Sequence, residues 1–194
     1  MRNNSMGEKE MQDRLFSDRQ LIKLMIPLVI EQGLTILVGM CDGVMVSAVS
    51  EAAISGVSLV DMINAVILVL FAALATGGAV VTSQLLGARR TADARRSAGQ
   101  LVSLTFAMGC LMMALCLVFA RGLLRLFFGS IADDVMAAGL IYLRITALSF
   151  PFIALYNAGA AIFRSVGKTK IPLAALAISG VLNVLLNLFF VAVL

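Results

Sequence analysis

Two carboxylates stand where a carboxylate is expensive. Glu31 and Asp42 interrupt the otherwise charge-free stretch Leu24–Ser50, and a charged group at membrane depth costs about 2.5–3.5 kcal/mol on insertion scales. Their spacing is close to three whole helical turns. Both therefore fall on one face of a helix, about 16 Å apart along its axis, with Thr35 between them. A carboxylate withdrawn from bulk water beside a water-filled cavity can take up and release a proton or bind a cation. The alternative is structural: Asp42 approaches the outer interface, and Glu31 pairs with another helix. Pro27 lies in the first third of the same stretch. It removes one backbone hydrogen bond, so it marks either a static bend or a hinge.

Other polar groups at membrane depth join this set. Asn183 and Asn187 are four apart and share a helix face, while Asn157 and Asn64 are further candidates. Amides in lipid must face protein or water, either as part of a polar network or as interhelical packing bonds. Asp61 lies a turn or two into its span, and Arg144 pairs or snorkels toward Asp133 and Asp134. No nucleophile–base pair or phosphate-binding loop is present, so a membrane enzyme is not expected. With no histidine in the chain, a histidine-ligated metal or haem site is excluded. Cys41, Cys110 and Cys116 lack metal-ligand spacing and read as packing residues. No cofactor is expected beyond a coupling ion, H+ or Na+.

The elements that must hold these groups are membrane-spanning helices. Hydrophobic residues make up 61% of the chain and charged residues 13%, against roughly a quarter charged in soluble proteins; mean hydropathy is +1.02. Met62–Ala88, Ser97–Ala120 and Ile171–Leu194 carry no charge, and Val135–Phe163 carries only Arg144. A helix needs about 20 apolar residues to cross the bilayer core. The fold class expected is thus an all-α integral membrane protein with five transmembrane helices, near 21–49, 54–86, 98–119, 135–163 and 172–194. Residues 1–20 form a polar N-terminus without the pattern of a signal peptide. Segment 121–134 reads as an amphipathic interfacial turn, with Arg121 and Arg125 four apart. Gly87 reads as the stop of the second span, and Gly39 and Gly43 as a close-packing face of the first.

Charge placement sets the expected orientation. Of the 15 basic residues, 12 precede the first span or lie between spans two and three or four and five. The positive-inside rule then puts the N-terminus in the cytoplasm of a multi-pass plasma (inner) membrane protein. The same basic clusters read as topology signals and contacts with the lipid bilayer, not as a nucleic-acid surface.

With these residues in hand, the chain resembles the multidrug and toxic compound extrusion (MATE) transporters. The resemblance rests on IPLVIEQGLTILVGMCDGVMVSAVSEAAISGVSLVD (26–61), ALATGGAVVTSQLLGARR (73–90), YLRI (142–145), FRSVGKTKIPL (163–173) and GVLNVLLNLFFV (180–191), in order and with matching spacing. It implies that residues 21–194 are helices 1–5 of an N-terminal lobe. The sixth helix and the C-terminal lobe would be missing partners, a reading reinforced by the apolar run FFVAVL at the end. It also implies efflux of organic cations or amphipathic compounds by antiport against protons or sodium. In one branch of the family a helix 1 aspartate fifteen residues after a proline is linked to proton-coupled bending, and Pro27 and Asp42 match that spacing. The same branch carries Asn-x-x-x-Asp on helix 5; here Asn183 fits, but Asn187 replaces the aspartate. The alternatives are a truncated non-transporting remnant or half, and a lipid-linked sugar flippase of the wider superfamily. The acidic first span speaks against the flippase.

Overall fold

The computed structural model describes residues 18–47, 51–130 and 132–193, and all but short turns of these are helical. The helices are α1 (Asp18–Ser47), α2 (Glu51–Gly87), α3 (Thr91–Phe128), α4 (Asp133–Ala147), α5 (Phe150–Ser165) and α6 (Lys170–Val193). Long apolar runs fold this way because a helix satisfies every backbone N–H and C=O within its own segment, which lipid cannot do.

Three departures from the expected elements have physical causes. The fourth span is two helices bent by 48° at a break of Leu148–Ser149. Pro151, in the first turn of α5, cannot donate to the carbonyl of Ala147 and crowds it, so the chain breaks there. The segment after Phe119 is helical and continues α3 to Phe128, set off from the rest of the helix by a kink at Phe119 (φ −106°, ψ 17°). Its start also extends back over 91–97, the expected loop. Finally, α2 is not stopped by a left-handed Gly87. The left-handed residue is Arg89 (φ 58°), whose turn is closed by Arg90 N–H donating to Leu85 O at 2.9 Å.

Among the described residues, α2 and α3 are long and apolar enough to cross a membrane, and the bent α4–α5 pair adds a third span if taken as one. Helices α1 and α6 run 30 and 24 residues, long enough for the ~20 of a full crossing, with described apolar runs at Met25–Cys41 and Lys170–Leu186.

Packing has the character of a membrane protein, with large apolar side chains exposed as well as buried. Helices α2–α5 form one body around Val60, Phe71, Leu124, Leu143, Ala147, Phe150 and Ala154, with Phe71 and Phe150 edge-to-face at 6.2 Å. A second buried group, Ala75, Ala79 and Ala161, joins α2 to the last turns of α5. Val29, Val69, Val118 and Leu126 are exposed. Close crossings lie at glycines other than the expected ones. A Cβ at Gly56 would meet Gly139 N at 2.8 Å, one at Gly109 would meet Pro151 Cα at 2.7 Å, and one at Gly78 would strike Leu101. Nothing described lies within 4 Å of a Cβ at Gly39 or Gly43. Helix α1 packs chiefly on α6, with Gly180 against Val38, and this pair meets the body more lightly through α2 and α5.

Candidate functional site

Glu31 is one turn past Pro27 on α1, and both residues are buried. Facing Glu31 is the last turn of α5, which ends in a left-handed Gly167 (φ 76°). There Lys168 N–H donates to Phe163 O at 2.9 Å, and Gly167 N–H donates to Arg164 O at 3.0 Å. This C-terminal motif fixes the helix end and with it the starting point of the Arg164 side chain. Alanines 75, 79 and 161 let α2 and α5 approach closely just beneath.

Arg164 Nη1 donates to Glu31 Oε1 at 3.1 Å across 133 residues of sequence. The carboxylate side chain is 8% exposed and the guanidinium side chain 32%. Glu31 Oε2 is buried and has no hydrogen-bond partner among the described residues. The ion pair is therefore one-sided. A buried pair needs its remaining lone pairs satisfied to offset desolvation, and here half of the carboxylate is left over. On its other side Arg164 lines a cavity of about 250 Å³ between α2 and α5, together with Thr76, Ser83 and Ser165. Nearby, Tyr156 O–H donates to Pro172 O at a long 3.4 Å, tying α5 to α6. Helix α5 thus holds α1 by one polar contact and α6 by another.

The other expected site residues are placed unevenly. Thr35 shares the helix face of Glu31 in register but is exposed, and its hydroxyl donates back to Glu31 O at 2.9 Å. On this face Glu31 is buried and Thr35 is exposed. Asn157 is half-buried, with its amide donating to Ile153 O at 2.9 Å on its own helix. Asn183 is half-buried on α6. Asp42 and Asn187 lie on α1 and α6, but their side chains fall outside the described residues, as do residues 1–17. Asn64 Oδ1 is buried without a hydrogen-bond partner among the described residues, and Asp61 accepts from Tyr142 O–H at 3.2 Å across α2 and α4. Arg144 is exposed.

Arg164 is the residue that sequence reasoning missed, because it reads as one of three loop cations with Lys168 and Lys170. A signal was present. Arg164 lies nearest the apolar run of its cluster, and a buried Glu31 demands a cation within reach.

The MatE family model matches residues 27–189 of the chain. The chain belongs to the MATE family. Among curated relatives, this MATE chain is 31% identical over 163 residues to "Uncharacterized transporter YisQ" of Bacillus subtilis, covering 84% of the chain and 34% of the relative. It is 26% identical over 172 residues to "Probable multidrug resistance protein NorM" of Thermotoga maritima, covering 87% and 36%. The fold matches the crystal structure of a MOP superfamily transporter from Pyrococcus furiosus with a TM-score of 0.80 at 23% identity, over 87% of this chain and 37% of that one. The MATE chain therefore spans about a third of the length of the relatives it matches. MATE proteins are multi-pass membrane transporters of a multidrug-efflux family, not enzymes.

Proposed function

We propose that this chain supplies helices 1–5 of the N-terminal lobe of an ion-coupled exporter, in which entry of H+ or Na+ drives an organic cation or amphipathic compound out. The observation that carries the reading is Glu31: a buried carboxylate one turn past a helix proline, held by Arg164 through one oxygen and unpartnered at the other.

The chemistry follows from that asymmetry. A proton or sodium ion reaching Oε2 competes with Arg164 for the carboxylate. Neutralising Glu31 weakens the tie between α1 and α5. Helix α1 lacks the backbone hydrogen bond that Pro27 would otherwise donate to Lys23, so it bends there at lower cost once the tie is released. Asp42, three turns on, is the second coupling carboxylate. Pro27 is the hinge, and Thr35, Asn157, Asn183 and Asn187 supply the polar network of the lobe. One charge moved through 100 mV is worth about 2.3 kcal/mol, enough for roughly fifty-fold accumulation. The family membership and the multidrug name of the Thermotoga relative support export of drug-like compounds. The basic clusters support a cytoplasmic N-terminus in the plasma membrane.

The test is dye efflux from cells lacking their own exporters and carrying the gene for this chain with any reading frame that continues it. Glu31→Gln, which gives up the charge-assisted contact with Arg164, and Asp42→Asn are each expected to cut ion-driven efflux about tenfold. Unchanged coupled efflux in Glu31→Gln sinks the reading. A non-transporting remnant is the second reading; it holds if the reading frame ends at Leu194 and cells keep their dye.

A further inference from the structure

At the end of α3 remote from Thr91, a cavity of about 840 Å³ opens between α3 and the start of α4. Arg121 and Arg125 line it with Ser130, Asp133, Met136 and Leu140. The two arginines are one helical turn apart, which places their Cβ atoms about 5–6 Å from each other. Both are exposed, and neither forms an ion pair among the described residues, where the carboxylates in salt bridges are Asp93 and Glu31. The surface around them is apolar: Leu126 is 80% exposed, and Val118 and Phe127 are also exposed. In a bilayer those side chains meet acyl chains. The two guanidinium groups therefore sit in a hollow bordered by exposed apolar side chains, where charge calls for a counter-ion.

We propose that this hollow binds the phosphate headgroup of an anionic phospholipid. Guanidinium groups match phosphate oxygens in paired, charge-assisted hydrogen bonds. Ser130 adds a hydroxyl, while Met136 and Leu140 form an apolar wall for the glycerol and the first acyl carbons. Asp133 distinguishes the phosphate sources. With one carboxylate against two guanidiniums the hollow carries a single net positive charge. That suits a singly charged phosphodiester better than the more highly charged free phosphate ion.

The experiment follows thermal unfolding of the full chain in detergent while short-chain phosphatidylglycerol, phosphatidylcholine or inorganic phosphate is added. Phosphatidylglycerol is expected to protect at about tenfold lower concentration than phosphatidylcholine. The double variant Arg121→Gln/Arg125→Gln is expected to lose that preference, whereas Arg95→Gln/Arg96→Gln, with the same charge loss at the other end of α3, keeps it. Asp133→Asn is expected to tighten binding of phosphatidylglycerol, and this arm stands even if the double arginine variant does not fold. Equal protection by the two lipids overturns the proposal. So does equal loss in the Arg95/Arg96 control, which would mean diffuse charge, or protection by inorganic phosphate at matched concentration, which would mean a free-anion site.

Discussion

At the residue scale, the two halves of the Glu31–Arg164 pair are not equivalent. Arg164 is a third exposed and can turn toward water or its hydroxyl-lined cavity when the carboxylate is lost. Glu31 has no such exit, because its second oxygen is already buried without a partner. Arg164→Gln should therefore destabilise the chain more than Glu31→Gln. The difference is expected to be about 1–3 kcal/mol, below the 3–5 of a fully buried pair because Arg164 is partly solvated. Thermal unfolding of both variants and of the double variant checks this. In the double variant most of the Arg164→Gln penalty should vanish, since no buried charge is left alone.

At the element scale, helix ends and crossings decide. Arg89 holds a left-handed conformation that an L-residue enters at a cost of about 1–2 kcal/mol. Arg89→Gly is expected to stabilise by about 0.5 kcal/mol, because the extra freedom of glycine in the unfolded chain offsets part of the relief. Helix α3 offers a contrast of sign. Gly109→Ala would press a Cβ against Pro151 Cα and Phe150 O, backbone atoms that cannot step aside, and should cost about 1–3 kcal/mol. Gly99→Ala meets open space on an exposed face and should gain up to about 1 kcal/mol in helix propensity. Unfolding midpoints of the two variants, moving in opposite directions, check the crossing between α3 and the α4–α5 break.

At the scale of the whole molecule, the chain is a four-helix body, α2–α5, with the α1–α6 pair set beside it. Cohesion differs accordingly. The body shares one buried core from Val60 to Ala154. The α1–α6 pair is held to it by fewer side chains and by the two polar ties of α5, Arg164 to Glu31 and Tyr156 to Pro172. Local opening follows such differences. Hydrogen exchange in detergent should therefore release the amides of 25–41 and 176–186 before those of 101–124, and Arg164→Gln should widen the gap. Equal rates across the two regions would contradict the division. A movable pair on a rigid body is also what the coupling proposed for Glu31 requires.

What could be read from the amino-acid order was set locally. Charge-free runs such as Met62–Ala88 dictate helices because lipid leaves the backbone no partner but itself. The placing of Glu31, Asp42 and Pro27 within one such run singles out α1 as the helix proposed for the coupling, and the ordered motifs from 26 to 191 carry the family. Pro151 carried the break of α4 and α5 in plain view, but whether a proline bends or ends a helix depends on what fills the gap, here Gly109 of α3. The partner of Glu31 was legible only as the need for some cation within reach. Arg164 lies 133 residues away, and its local surroundings are those of any loop cation. Likewise Gly56 and Gly109 are no different in sequence from Gly39 and Gly43. Backbone hydrogen bonding is satisfied within a few residues and so can be read along the chain. Ion pairs and helix crossings join distant residues, and they are decided only when the helices pack.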